Sequence, residues 1–400
     1  MTELLSLPHL SRSPRDPAFV QDPYPFYDMI RQAGPVVQWQ EWGLPVTARS
    51  TVVSACLRDR RLGREAPEGF GQTPPAHLAP FYDIEAHSML ELDGPRHAKL
   101  RAQVLRAFTS RRIAALAPEI ETLCHQLIDA FPAGGCDLLP AYAQHLPAII
   151  IARLLGLPDA TAPDLLRWSH AMVGMYQARR TAEVEAKAVA ASSEFAAFIR
   201  ATLAERRRDP REDLLSAMLA AQAGDGSGLS EDEILSTAIL LLNAGHEATV
   251  HSLGNAVAQF LERGTQWPQG DPAAEAALVE EALRIDPPLH LFERWVLEDM
   301  EIGGQAFRRG DRIGLLLAGA NRDPSAWDRP GILDPARPSR PHHAFGAGAH
   351  FCLGAPLARM ELQIGLRVLF ARLPNLSLDE RPVYADLYPF HGLETLALSY

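Results

Sequence analysis

Apolar and polar positions alternate at a helical period through most of the chain, most clearly from about residue 95 to residue 265, where Ala, Leu, Glu and Arg dominate. One stretch stands out. Ser230 and Glu233 have the spacing of a reciprocal N-terminal cap, an apolar run through Ile239, Leu240, Leu241 and Leu242 follows, and Glu262-Arg263-Gly264 reads as a stop. A helix of that length, apolar on several sides, is expected to pass through the core. After Pro287-Pro288 the pattern shortens to strand-like pieces with turns at Gly303-Gly304 and Gly310-Asp311, which predicts a small sheet. Residues 322 to 344 carry Pro324, Pro330, Pro335, Pro338 and Pro341 with little periodicity, and predict an ordered but irregular segment. A last helix begins near Ala355-Pro356, proline being suited to a first turn, and runs to about Arg372. The expected fold is mainly α, with no internal repeat and no long linker, in a single domain over 1–400.

Composition narrows the function classes. With 47% apolar residues in 400, the chain can build a core large enough to enclose a sizeable ligand without covalent staples. The start lacks a basic segment followed by an apolar one, and no window approaches the roughly 18 uninterrupted apolar residues of a membrane span, so a cytoplasmic protein is expected. A net charge of −11 argues against nucleic acid or an anionic membrane as main partner. The four cysteines, Cys56, Cys124, Cys136 and Cys352, are too few and too scattered for a disulfide framework, and none forms a CxxC pair. For the first three, a buried, inert thiol is expected.

Cys352 has different neighbours. The stretch from Phe345 through Gly346, Gly348, His350 and Cys352 to Gly354 ends where the last helix starts. Its glycines permit tight turns and close approach of backbone to something flat. A cysteine just before a helix N-terminus meets free N–H groups and the positive end of the dipole, which favours the thiolate that a metal needs. The order Phe, Gly, Gly, His, Cys, Gly at these spacings resembles the heme-binding loop of the cytochrome P-450 family, in its soluble bacterial form. The resemblance implies the P-450 fold, a large helical body with a long central helix and a small β-sheet region. It implies heme b (iron protoporphyrin IX) as cofactor and Cys352 as its axial metal ligand, with Phe345 and Gly346 in the cofactor-binding loop.

Further motifs extend the resemblance over about residues 20–398. His97 and Arg101, four apart on a predicted helix, Arg294 in Arg294-Trp295-Val296, and His350 resemble the cations that hold the heme propionates. In isolation, such a His/Arg pair would be an ordinary solvated helix face. Glu281 and Arg284 match the ExxR element, and Arg337 fits its third member, a structural triad beneath the thiolate. Asp22-Pro23-Tyr24-Pro25, Ser88-Met89-Leu90 and Ala320-Asn321-Arg322-Asp323-Pro324 also resemble bacterial members.

Midway along the long helix, Ala244-Gly245-His246-Glu247-Ala248-Thr249 resembles the family's A-G-x-[DE]-T-T signature, whose acid and alcohol deliver protons during oxygen activation. Small residues at 244, 245 and 248 leave room for a ligand, which puts Ala244 and Gly245 in the cofactor-binding set. Here Ala248 replaces the usual first threonine. One residue step turns a helix by about 100°, so Thr249 does not simply inherit its direction. Glu247, with Thr249 and water, is the expected proton source, and the plainer alternative is a buried carboxylate paired with a neighbour. His246 is read as a scaffold residue.

The implied activity is a monooxygenase reaction on a small, mostly apolar organic substrate with O2. Analogy places Phe70, Phe81, Trp168, Met172, Met175, Leu289, Leu291, Phe292, Leu387 and Phe390 around the pocket, and Tyr176, His290 and His391 as polar scaffold nearby. No redox domain is fused, so electrons are expected from a separate ferredoxin or flavodoxin with its reductase. The basic stretch Lys99, Arg101, Arg106, Arg111 and Arg112 is the candidate docking site. Alternatives are a peroxide-using enzyme of the same fold, suggested by Ala248, a non-catalytic heme sensor, and a thiol hydrolase with Cys352 as nucleophile and His350 as base.

Overall fold

The computed structural model describes residues 7–107, 110–221 and 228–400, with backbone alone at 107, 110 and 111. The helices that carry the argument are, in chain order, α1 (Ser50–Arg58), α2 (Gly94–Ala107), α3 (His145–Leu154), α4 (Ala162–Val173), α5 (Ala182–Arg208), α6 (Glu231–Glu262), α7 (Pro272–Ile285) and α8 (Ala355–Arg372). Among the described residues, no helix is long and apolar enough to cross a membrane. The chain divides into two compact units, one of Met1–Gln72, His251–Ala355 and Leu376–Ser399, the other of Thr73–Val250, Pro356–Asn375 and Tyr400.

Both ends of α6 follow the predicted chemistry. The Ser230 N–H donates to Glu233 Oε2 at 2.8 Å, and the Glu233 N–H donates to Ser230 Oγ at 3.1 Å, so two orphan donors are satisfied reciprocally. At the other end Gly264 takes a left-handed φ of 63°, which lets the Thr265 N–H reach back to the Phe260 carbonyl at 2.8 Å and close the helix. Between these caps Ile234, Ile239, Leu242, Leu253, Val257 and Phe260 are buried. So are the polar Thr237, Asn243, His246, Glu247 and Asn255, as expected of a helix that is buried over most of its surface.

The first unit carries a six-stranded mixed sheet. In chain order its strands and the adjoining hairpin are β1 (His9–Leu10), β2 (Val37–Trp39), β3 (Leu44–Thr47), β4 (Leu62–Gly63), β5 (Leu291–Val296), β6 (Met300–Ile302), β7 (Gln305–Phe307) and β8 (Arg312–Leu316), and the sheet order is β1-β2-β3-β8-β5-β4. Gly303 and Gly304, at φ 57° and 82°, form the two-residue turn that pairs Ile302 with Gln305 across β6 and β7. β5 and β8 run antiparallel with Arg294 opposite Ile313. Val53, Cys56 and Leu57 of α1 pack with Leu62, Val296, Ile313, Leu315 and Ala347 into one apolar cluster. Ala347 is therefore the point at which the glycine-rich loop is anchored in the core.

The second unit is helical. Trp168 of α4 stacks on Phe195 of α5 with ring centroids 5.0 Å apart. The Arg206 guanidinium, only 2% exposed, donates to Asp213 Oδ2 and to the Gly156 carbonyl, both at 2.6 Å. Asp213 also caps the following short helix through the Ser216 N–H at 2.7 Å. A buried charge is tolerated when it is bonded in this way.

Candidate functional site

The cysteine loop is shaped by its glycines and pinned by backbone bonds. Gly346 and Gly348 have φ of 66° and 72°. A side chain at Gly348 would collide with the Leu57 carbonyl oxygen and come within 3.1 Å of Arg58 Cα, so the loop lies directly against the end of α1. The Gly346 N–H donates to the His343 carbonyl at 2.9 Å, and the Cys352 N–H donates to the Phe345 carbonyl at 2.9 Å. This second bond folds the loop back so that Cys352 is presented at half burial, three residues before α8. His350 sits in the short 3-10 turn Gly348–His350. A Cβ on Gly354 would stand 3.9 Å from the Cys352 sulfur, so the glycine lies directly beside it.

Behind the loop stands a buried ionic frame. Arg284 and Glu281 of α7 are paired through two bonds of 2.7 Å, and Arg284 also donates to the carbonyls of Asn321, Pro330 and Ile332 at 2.8, 2.9 and 3.1 Å. Arg337 reaches the same Glu281 Oε1 at 3.2 Å. The three residues named from the sequence as a triad do meet. Asn321 then links the frame to the loop, its Oδ1 accepting the His343 N–H at 2.6 Å. Burial, with the positive charges of His342 and Arg58, pulls the His343 imidazole down to about 4.

Arg294 is 2% exposed on β5, its guanidinium 4.6 Å from the centre of the Phe292 ring. Arg64, which the sequence reading passed over, stands 4.4 Å from the same ring and donates to the Glu293 carbonyl at 3.1 Å. Two cations therefore flank one aromatic ring in this unit.

In the second unit His97 is buried on α2, and Arg101 lies one turn further on, partly exposed. On α6, Leu241, Ala244, Gly245 and Ala248 form the least covered strip of a mostly buried stretch, with Ala244 exposed. The bare side of Gly245 is not free space, because a Cβ there would stand 2.8 Å from Ile151 Cδ1 of α3. Gly245 thus admits a neighbouring helix, and Ala244 is the most exposed position of the strip. The Thr249 hydroxyl donates to the Gly245 carbonyl at 2.8 Å, an i−4 back-bond. Glu247 is 6% exposed, and its Oε2 faces His170 Nε2 at 3.5 Å and His246 Nδ1 at 3.7 Å. His170, on α4, gave no signal in the sequence.

The other thiols are unreactive by environment. Burial pushes Cys56 and Cys124 up to about 12 and raises Cys136. Several side chains assigned to a pocket by analogy are engaged in scaffold contacts. Trp168 donates to Glu194 Oε2 at 2.8 Å, and Phe70 packs under Gly310 and Arg309. Tyr176 donates to Glu85 Oε2 at 2.8 Å, His290 bonds the Tyr27 hydroxyl at 3.0 Å, and His391 Nδ1 lies 2.9 Å from Asp286 Oδ1. In the basic stretch Lys99 pairs with Glu233 at 3.1 Å, Arg106 donates to Gln103 Oε1 at 3.4 Å, and Arg112 donates to the Glu212 carbonyl at 3.0 Å. The Arg111 side chain lies outside the described residues.

These features fit a flat, anionic, sulfur-ligated cofactor. In the first unit a soft sulfur donor stands half-buried at a pinned loop and Arg294 is a buried cation. In the second unit the small side chains of Ala244 and Ala248 keep one helix face low, and His97 is a buried side chain of a type that bonds carboxylates.

Comparison with known proteins agrees. The cytochrome P-450 family model matches residues 276–378, the span from α7 through the cysteine loop and α8. Over 95% of its length the chain is 33% identical to the cytochrome P-450 monooxygenase PikC of Streptomyces venezuelae, covering 91% of that protein. It is 34% identical to 6-deoxyerythronolide B hydroxylase of Saccharopolyspora erythraea, over 90% of the chain and 91% of the relative. Among solved structures, P450BioI in complex with an acyl carrier protein ligated to hexadec-9Z-enoic acid superposes with a TM-score of 0.89 at 30% identity, over 96% of this chain and 99% of that one.

Proposed function

The chain belongs to the cytochrome P-450 family and is a heme-dependent monooxygenase, and from that premise we propose that it inserts one oxygen atom from O2 into a small, mostly apolar organic substrate, with electrons from a separate ferredoxin. The carrying observation is Cys352, half-buried and held by the Phe345 carbonyl at the head of α8 while the other cysteines are kept as thiols by burial. In this reading Cys352 would hold the heme iron through its sulfur, Phe345 and Gly346 would shape its loop, and His97, Arg101, Arg294 and His350 would hold the propionates. Ala244 and Ala248 keep the helix face low, with Gly245 between them. In this reading 1–400 is one P-450 domain, which relatives matched nearly end to end support, and the protein acts in the cytoplasm.

Heme, when bound, supplies the oxygen activation and one-electron chemistry that amino-acid side chains lack. The chain's own contribution is position and protons. Glu247 is a buried acid on α6, and the Thr249 hydroxyl, which donates to the Gly245 carbonyl, keeps its acceptor lone pairs, so Glu247, with Thr249 and water, delivers the proton that the missing threonine at 248 does not. Glu247→Ala is expected to lower turnover and the yield of product per electron, and unchanged coupling would refute the relay. Charge reversal at Arg106 and Arg112 should slow reduction by an acidic ferredoxin at low salt.

The test of the assignment is the optical spectrum of the reduced, carbon monoxide-bound protein. The wild type should give the band of thiolate ligation, and Cys352→Ala should lose it. Retention of both band and activity in Cys352→Ala would overturn the assignment. Ala248 favours a second reading, direct use of peroxide, which comparison of peroxide-driven with ferredoxin-driven turnover decides.

A further inference from the structure

One group of side chains outside the cysteine loop has the chemistry of a metal-ligand set. His170 stands in the last turn of α4 with 43% of its side chain exposed, and His246 and Glu247 are buried on α6. His170 Nε2 and His246 Nδ1 lie 3.5 and 3.7 Å from one oxygen, Glu247 Oε2, and the three ligand atoms all fall within 4.8 Å of one another. The two rings tilt at 53° with centroids 5.3 Å apart.

The 3.5 and 3.7 Å separations exceed the roughly 2.7–3.2 Å of a direct N–H···O bond. They come close to the spacing of ligands around a shared ion, since ligands about 2.0–2.2 Å from a tetrahedral center stand roughly 3.3–3.6 Å apart. Two imidazoles and a carboxylate suit borderline divalent transition metals, whereas magnesium and calcium call for mostly oxygen shells. The half-exposed ring of His170 gives the ion a way in and leaves a fourth position to water.

We infer that His170, His246 and Glu247 form a zinc-type divalent cation site separate from the cysteine loop. An ion bound there holds the Glu247 carboxylate and withdraws it from proton delivery, so that zinc inhibits turnover. This consequence, unlike the site itself, rests on the relay reading of Glu247.

The test uses the holoenzyme, stripped with a chelator and desalted, then titrated at constant pH with zinc chloride by calorimetry and by competition with a chromophoric chelator. Wild type is expected to bind one specific equivalent. His170→Gln, a surface change that should leave folding intact, is expected to bind at least tenfold more weakly, and His170→Cys, which restores a zinc ligand, to recover binding. Equal zinc uptake by wild type and His170→Gln would overturn the proposal, as would magnesium binding as tight as zinc. Zinc should slow wild-type turnover but not that of His170→Gln. If zinc binds through His170 and turnover is unaffected, the metal site stands and the acid's role in proton delivery fails.

Discussion

Replacing Arg284 with alanine should destabilise the protein strongly and damage the cysteine loop first. The guanidinium is 1% exposed and makes five hydrogen bonds, two to Glu281 and one each to the carbonyls of Asn321, Pro330 and Ile332. Removing it leaves the Glu281 carboxylate buried with Arg337 as its remaining cation in the triad and takes a charged donor from three carbonyls. Breaking a buried pair from one side costs about 3–5 kcal/mol, chiefly through the charge left behind. With a urea dependence of about 3 kcal/mol per molar, the unfolding midpoint should fall by about 1–1.7 M. The damage has a direction, since Arg284 bonds the Asn321 carbonyl, Asn321 Oδ1 bonds the His343 N–H, and the His343 carbonyl bonds the Gly346 N–H. The thiolate band of the reduced carbon monoxide complex should therefore decay at urea concentrations where far-ultraviolet circular dichroism is still intact. Glu281→Ala combined with Arg284→Ala should cost less than the two single changes summed, because neither charge is then left facing an empty partner. A shift under 0.3 M in Arg284→Ala (~1 kcal/mol at that slope), or strictly additive single changes, would refute the reasoning.

Glu361 is 1% exposed on α8, and burial raises its carboxyl from 4.5 to about 8. The unfolded chain releases that proton near 4.5 and the folded chain holds it to about 8, so the group's contribution to stability falls as pH rises across that window. Glu361→Gln should gain on wild type across the same range, by on the order of 3 kcal/mol at pH 7, in urea titrations at several pH values, and no gain would exclude a neutral, buried carboxyl. His343 works at the other end. Lowered from 6.5 to about 4 in the fold, it contributes stability that is complete above 6.5 and lost as pH falls toward 4. His343→Gln should flatten the acid limb by about 3 kcal/mol, and an unchanged limb would show that the ring titrates freely. Gly245→Ala should cost no more than about 1 kcal/mol, since the 2.8 Å contact is with the terminal methyl of Ile151 and alanine is the better helix former by about 1 kcal/mol, and Ile151→Val should remove that cost; a loss above about 3 kcal/mol would mean that the two helices are locked at this contact.

The parts of the molecule legible in the sequence are those in which one contiguous segment supplies the whole physical reason. The caps of α6 are read from Ser230, Glu233 and Gly264 because each bonds within a few residues of itself, and the hairpin at Gly303-Gly304 is read from two glycines alone. The cysteine loop is legible for the same reason, since Gly346, Gly348 and Gly354 all serve one short turn and the sulfur within it. The triad needed only relative order, because Arg337 lies in the irregular segment after the sheet, and Arg284 itself collects carbonyls of that segment at Pro330 and Ile332. Short strands such as His9–Leu10 and Leu62–Gly63 carry too few residues to show a period, and their pairing comes from partners far along the chain. What stands against the bare side of Gly245 is illegible on the same ground, because it is Ile151, from another helix. His170 is the sharpest case. It sits among ordinary residues of α4, and its relation to Glu247 exists only once α4 and α6 pack together. A cofactor that demands fixed ligand geometry writes itself into local spacing, whereas the groups that surround the acid on α6 are selected helix by helix and leave no local pattern. The same separation explains why the chemistry of this protein is plain from one loop while its substrate preference is spread over segments that no motif joins.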